Sequence, residues 1–486
     1  MSANDLVSVL PVLITIIGGL AILLIDLGVP AERKATTAWL AMATLLLAAV
    51  AALAQLPNAP VNAFGDMVRA DAYAYFLDAL LAIIGCITVL LTLRYNQVRG
   101  IMRGEFYPLM VFSISGMMLM GHSLNLLMVF VAVELLSIPL YILCGIARPN
   151  QNSEESAMKY FLMGAFASGF LVYGIALIYG ASGTTSLARL NAILSDTTAR
   201  AYDPVLLFAG AALVLVGLGF KVAAAPFHMW TPDVYEGAPT TVTAFMATAT
   251  KVAGFAALLR VFSFGLEPLL SQWQPVVALI AALTMILGNV TAIVQNNVKR
   301  MFAYSSIAHA GYVLVGVAAG NEAGATGVLF YLAAYAFTTL AAFAVISAIG
   351  SGTEENQTFD AYTGLGRRKP LLATVLAIAL FSLIGIPPTA GFIGKYFLIT
   401  AALNSGLTWL AVLMVLVSVV SAYFYLRLIV TMFMREPQAE DEGEAIAGNA
   451  PRSLAAAIST AAVLIIGVLP APLLGLITAG VHGAMK

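Results

Sequence analysis

Long apolar stretches recur along the chain, separated by short polar breaks. They lie near 6–27, 36–56, 73–93, 106–121, 124–147, 157–180, 204–229, 240–264, 274–295, 301–319, 324–350, 371–401, 407–434 and 453–480. A helix needs about 20 apolar residues to cross the hydrocarbon core of a bilayer, so the pattern predicts an all-α integral membrane protein of about fourteen transmembrane helices. No stretch is left over for a separate soluble domain. The first, Leu6 to Leu27, lacks a basic lead and a small-residue cleavage site, and reads as a retained helix rather than a signal peptide. Two stretches carry helix breakers. The one starting at Pro204 meets Pro226 in Ala-Ala-Ala-Pro-Phe-His; 371–401 holds Gly385, Pro387, Pro388, Gly391 and Gly394. Proline removes a backbone donor and clashes with the preceding turn, so both helices should break. Irregular backbone at membrane depth survives only inside protein or beside a water-filled cavity. The two breaks are five spans apart and therefore oppositely oriented, the pattern of an inverted-repeat transporter. The expected organisation is a three-helix segment 1–105, two five-helix repeats at 106–264 and 265–434, and an acidic loop with a final helix at 435–486.

Basic residues orient these spans. With the N-terminus outside, the cytoplasmic loops hold Arg33, Lys34, Arg94, Arg99, Arg103, Arg148, Lys299, Arg300, Arg367, Arg368, Lys369, Arg435 and Arg452. The opposite side holds Arg69, Arg189, Arg200, Arg260 and Lys486. Thirteen against five is the asymmetry of the positive-inside rule, with both termini on the outer side. The other five of the 23 basic residues, Lys159, Lys221, Lys251, Lys395 and Arg427, fall inside predicted helices.

Composition narrows the function. Only 10% of the 486 residues are charged, against about a quarter in soluble proteins, and the mean hydropathy is +0.95. A net charge of −1 gives no reason to expect nucleic acid as a partner. An iron–sulfur cluster needs about four thiolates, and the chain has two cysteines, Cys86 and Cys144. Four scattered histidines (His122, His228, His309, His482) show no metal-ligand spacing. Dinucleotide and phosphate-loop signatures are missing as well. No cofactor or metal is expected in this chain.

What remains is charge inside the membrane. Glu134, in Val-Ala-Val-Glu-Leu-Leu-Ser-Ile-Pro, sits mid-span, where a charge costs roughly 3 kcal/mol or more. Such a group is a titrating site or half of a buried ion pair. Lys251 lies too deep to snorkel, with Thr243, Thr248 and Thr250 nearby to favour a hydrated path. Burial and a neighbouring carboxylate act on a lysine in opposite senses, and a balance between them lets it take up and release a proton. Lys221 and Lys395 adjoin the broken helices, where freed carbonyls and water can reach them. Lys159 follows Glu154 and Glu155 near the start of its span, so a local pair or a snorkelling role competes with proton carriage. His228 and His309 could relay protons or be satisfied core histidines. Arg427 keeps its proton and reads as structural.

Two segments carry a family resemblance. Phe-Lys-Val-Ala-Ala-Ala-Pro-Phe-His-Met-Trp-Thr-Pro-Asp-Val-Tyr-Glu-Gly-Ala-Pro-Thr, 220–240, resembles the broken-helix motif of the antiporter-like subunits of respiratory complex I. Lys299-Arg300-Met-Phe-Ala-Tyr-Ser-Ser-Ile-Ala-His-Ala-Gly-Tyr312 resembles their tenth-helix motif. Pro-Asp-Val-Tyr-x-Gly-Ala-Pro and a lysine at 395 are most similar to the subunit N branch of the bacterial proton-pumping NADH:quinone oxidoreductases. The resemblance implies Glu134 and Lys221 as a modulating pair, Lys251 as central proton carrier, Lys395 as exit-side carrier, and Lys159 as a lysine typical of that branch. It also implies a place in the bacterial inner membrane among the other membrane and peripheral subunits of complex I. FMN, iron–sulfur clusters and the quinone chemistry would then belong to those partners. A subunit of a multisubunit sodium/proton antiporter, and a membrane scaffold retaining ancestral charges, are the competing expectations.

Overall fold

The computed structural model describes residues 3–58, 60–196, 202–349, 357–436 and 450–485. Arg200, Lys486 and the acidic stretch 437–449 lie outside the described residues. The chain is an all-helical membrane protein, with a two-stranded hairpin as its one sheet among the described residues (Val61–Ala63 antiparallel to Val68–Ala70).

Every predicted span coincides with a helix or a pair of helices. Among the described residues, eleven helices are long and apolar enough to cross a bilayer. The other three predicted spans are met by Leu10–Asp26, by Phe106–His122, and by Pro370–Ile384 with Ala390–Asn404. Both anticipated breaks are present. The first broken span runs Pro204–Val222, interrupts, and resumes as Trp230–Gly237; the second interrupts after Ile384 and resumes at Ala390. Three details differ from the hydropathy reading. The sixth helix starts early and runs Gln151–Ser182, its first turn held by the Asn150 side chain. A short amphipathic helix, Leu187–Ser195, follows it. The last stretch is two helices, Ala450–Val468 and Ala471–Met485, because Pro470 has no N–H to carry the ladder across the junction.

Burial is uneven. Thr240–Gly265 is wholly enclosed by the rest of the chain, and Ala72–Val98, Val298–Ala319 and Glu322–Ile346 nearly so. Gln151–Ser182, Thr408–Met434 and Ala450–Val468 present broad apolar faces outward, with Phe166, Val419 and Ile465 among the exposed side chains. These faces carry no polar backbone to satisfy and suit lipid or neighbouring subunits.

Candidate functional site

The enclosed helices and the two breaks bring three of the four predicted lysines, Lys221, Lys251 and Lys395, into a line of buried polar groups. At the first break the helix ends at Val222, and Ala223 turns into the left-handed region (φ 61°). The amides of Ala223 and Ala224 return to the carbonyls of Phe220 and Gly219. The Val222 carbonyl is taken instead by Lys251, whose Nζ donates to it at 3.1 Å and to the Ser306 carbonyl at 2.8 Å. Helix Thr240–Gly265 comes this close because Gly254 faces the break: a Cβ there would lie 2.7 Å from Val222 Cγ1.

The second break repeats the chemistry with other residues. Gly385 adopts φ 91°, and the Ile384 carbonyl before it accepts from Lys395 Nζ at 2.8 Å. Lys395 also donates to Ser418 Oγ and lies 4.8 Å from the centre of the Tyr312 ring. A helix C-terminus carries partial negative charge, so each ammonium sits where the helix dipole favours it.

Lys221 Nζ turns away from its own break and donates to Ser137 Oγ at 2.7 Å, surrounded by the rings of Tyr141, Tyr160 and Phe220 at 5.4–5.6 Å. Ser137 is one turn from Glu134 on the same helix. Glu134 itself is half-buried and accepts a hydrogen bond from Ser168. Glu134 and Lys221 therefore bond different hydroxyls, Ser168 and Ser137, with Ser137 turning its own hydrogen to the Val133 carbonyl, and no ion pair within 4 Å links them among the described residues. Lys221, Lys251 and Lys395 are all almost fully buried (3%, 2% and 6% exposed), and none has a carboxylate partner among the described ion pairs.

His309 lies between Lys251 and Lys395. It stands one turn after Ser306, whose carbonyl holds Lys251. Its Nδ1 is 2.6 Å from Tyr331 Oη and its Nε2 3.0 Å from Tyr425 Oη, which in turn bonds Ser305. Tyr312, under Lys395, packs edge-on against the His309 ring at 5.2 Å. Each nitrogen faces a hydroxyl able to donate or accept, so the imidazole can take a proton at one side and release it at the other.

Two candidates lie apart from this line. Lys159 is 41% exposed and bonds Asp233 and Glu155, both at 2.7 Å, in a network that Arg300 extends to Asp233 (2.9 Å) and Glu236 (2.6 Å). His228 is half-buried within the first break, its Nδ1 without a hydrogen-bond partner among the described residues. Arg427 donates to the carbonyls of Ile293 and Gln295 and to Asn296, and stacks on Phe359 at 4.4 Å. It ties the thirteenth span to the turn before the tenth.

Sequence reasoning missed the hydroxyl partners Ser137, Ser168, Ser418, Tyr331 and Tyr425, because serine and tyrosine in an apolar helix give no signal of which way they face. Arg260, counted with the outer loops, is 1% exposed inside helix Thr240–Gly265 and bidentate to Asp71 at 2.7 and 2.9 Å. Lys299, counted with the inner loops, is also buried, donating to the Ala238 carbonyl at 2.7 Å.

Comparisons with known proteins carry the same fold to the level of family. Residues 123–421 match the family model described as NADH:quinone oxidoreductase/Mrp antiporter, transmembrane. The chain is 46% identical over 475 residues to NADH-quinone oxidoreductase subunit N of Chloroflexus aggregans, covering 97% of this chain and 96% of that one. It is 44% identical over 466 residues to the subunit N of Trichlorobacter lovleyi, covering 96% and 95%. A chain of respiratory complex I from Thermus thermophilus superposes with a TM-score of 0.82 at 36% identity, over 97% of this chain and 100% of that one. A chain of the Mrp complex from Dietzia shares the fold (TM-score 0.83) at only 21% identity, over 100% of this chain and 98% of that one. With near-complete coverage and the subunit N proteins far ahead in identity, the chain belongs to the antiporter-like membrane subunits of NADH:quinone oxidoreductase, in the subunit N family.

Proposed function

We propose that this chain carries protons through the line Lys221, Lys251, His309 and Lys395, with Glu134 acting on Lys221 from the rim, as part of a bacterial complex I. The observation that carries the proposal is the pair of helix-end carbonyls, Val222 and Ile384, each holding a buried lysine that has no carboxylate partner among the described residues. An ammonium held only by neutral acceptors is stabilised enough to form, yet not fixed by a counter-ion. Lys251 gives its proton to the Ser306–His309 side, His309 passes it between Tyr331 and Tyr425, and Lys395 receives it beside Tyr312. Return of Lys251 to the charged form draws on Lys221, the residue next to Val222 in the chain. Lys159 and its acidic partners guard the surface above Lys221, and His228 supplies a further titrating group in the first break. The 106–264 and 265–434 segments serve as the two repeats.

Electron transfer takes place elsewhere in this reading. Partner subunits hold FMN and the iron–sulfur clusters and reduce quinone, and this chain converts their conformational work into proton movement in the inner membrane. Both termini face the periplasm. Two measurements test the placement. Complex purified in mild detergent should contain this chain together with peripheral NADH-oxidising subunits; recovery only with small antiporter subunits would sink the proposal. Arg367→Cys and Asn404→Cys should label from opposite faces of the membrane, and labelling from one face would overturn the orientation.

A further inference from the structure

We propose that Asp78 and His122 form a second proton-binding site, separate from the line of lysines. Both side chains are 0% exposed. His122 closes helix Phe106–His122, and its Nδ1 lies 3.1 Å from the Arg69 carbonyl. A carbonyl only accepts, so Nδ1 carries a hydrogen. The other nitrogen, Nε2, lies 2.8 Å from Asp78 Oδ2. With one hydrogen on Nδ1, a neutral imidazole has a lone pair at Nε2, and a carboxylate opposite it would set lone pair against lone pair. The contact is bonding only when one more proton lies between Nε2 and Oδ2, on either atom. Asp78 Oδ1 is buried without a hydrogen-bond partner among the described residues. It can take up an incoming proton while the one shared with His122 still holds the contact.

The surroundings set the charge of the two states. Asp71, the N-cap of helix Ala72–Val98, stands two turns before Asp78 on the same face. It binds Arg260 through both oxygens, and Arg69 Nε lies 3.3 Å from it. Arg260 Nε donates to the carbonyl of Gly121, the neighbour of His122, and Arg69 Nη2 to the Gly483 carbonyl, both at 2.9 Å. On the helix that carries Gly483, His482 turns to Glu322 at 3.2 Å, away from the cluster. Tyr75 packs edge-on against His122 at 5.7 Å and donates to Gln55 at 2.8 Å; Tyr73 donates to the Ala256 carbonyl at 3.0 Å. Two guanidinium groups and one carboxylate leave one positive charge. With its shared proton the Asp78–His122 pair adds nothing and that charge is unbalanced. Without the proton the pair is an anion, and the cluster is neutral but the short contact is repulsive. Each state satisfies what the other lacks, which is the condition for a proton to come and go.

Position links the site to the rest. Arg260 is on the helix that carries Lys251, nine residues away or roughly 13 Å along the axis. A cavity of about 210 Å³ lies against Arg69 and Arg260, with Asn191 on its wall. The role of the site in transport rests on the proton-translocating reading above; its holding of a proton does not.

Asp78→Asn separates the two roles a buried pair can have. The amide can donate to Nε2 of a neutral His122, so the bond survives while the extra proton is gone. Infrared difference spectra of the intact complex, taken between two pH values in H₂O and D₂O, should lose a carboxyl–imidazole signal in Asp78→Asn and in His122→Gln, and regain it in Asp78→Glu. Turnover should fall severalfold in Asp78→Asn, with a changed pH profile at normal complex abundance. Spectra and pH profile identical to the parent in both Asp78→Asn and His122→Gln would overturn the proposal, whatever their turnover. If Lys251→Ala pumps normally while the infrared signal tracks Asp78, the lysine line fails and this site stands.

Discussion

The two broken helices reach the same chemistry from opposite directions. In both, the helix stops on a left-handed residue and leaves one carbonyl for a lysine ammonium. At the second break the lysine comes from the continuation of the same span, and the turning residue is Gly385. A Cβ at that position would stand 3.0 Å from Lys395 Cδ and 3.5 Å from its Nζ, so the glycine both permits the turn and leaves room for the side chain. At the first break the lysine arrives from a neighbouring span, no side chain crosses the turn, and alanine suffices at position 223. The lysine beside that break in sequence, Lys221, is turned toward Ser137. The unit common to both is therefore a carbonyl and an ammonium, and no residue-by-residue match of the two spans would find it.

The largest effect that bears on this equivalence is expected at its centre. Lys251→Ala should reduce proton pumping and quinone reductase activity by roughly a hundredfold or more, the lower end of what loss of a positioned proton-transfer group costs, with complex abundance unchanged on native gels. Pumping at the parental rate would remove Lys251 from the path. Gly385→Ala comes next. It adds about 1–2 kcal/mol of left-handed strain and a methyl against Lys395, so turnover should drop severalfold. If activity holds, the close packing of Lys395 across the turn is not needed.

Smaller effects test the periphery. Glu134→Gln keeps the Ser168 contact and removes the negative charge, and should slow turnover by a few-fold at most, as expected for one charge at a partly exposed position. Glu134→Asp should retain most of the activity; equal loss in both would point to shape rather than charge. Arg427→Ala should lower the amount of assembled complex without changing turnover per complex, since its bonds are to backbone carbonyls between spans. Ala223→Gly should do least. Relief of roughly 1 kcal/mol of strain is offset by a gain of about 0.4–1 kcal/mol in unfolded-state freedom, so thermal stability and turnover should match the parent. A marked loss would mean the first break needs its side chain as the second needs its absence.

Much of this was legible from residue order. Apolar length gave the spans, proline and glycine clusters gave both breaks, and the cost of buried charge singled out Lys221, Lys251 and Lys395. What the order of residues does not carry is who meets whom. Lys251 finds its acceptors 29 and 55 positions away, and Arg260 meets Asp71 across 189. Arg260 and Lys299 read as loop charges because each falls near a span's end, yet both are buried. Pro470 was hidden for the opposite reason: the helices on both sides of it are apolar, and hydropathy reads straight across the break.

Four helices are surrounded by the chain itself on nearly all sides, and the two least apolar of the eleven long spans, Thr240–Gly265 and Val298–Ala319, are among them. For those helices the medium is other side chains rather than hydrocarbon. A threonine, histidine or lysine there is weighed against neighbours that folding has fixed, not against lipid that would reject it. The outer helices therefore act as a private solvent shell. Their sequences answer to the bilayer, and so release the inner ones from having to.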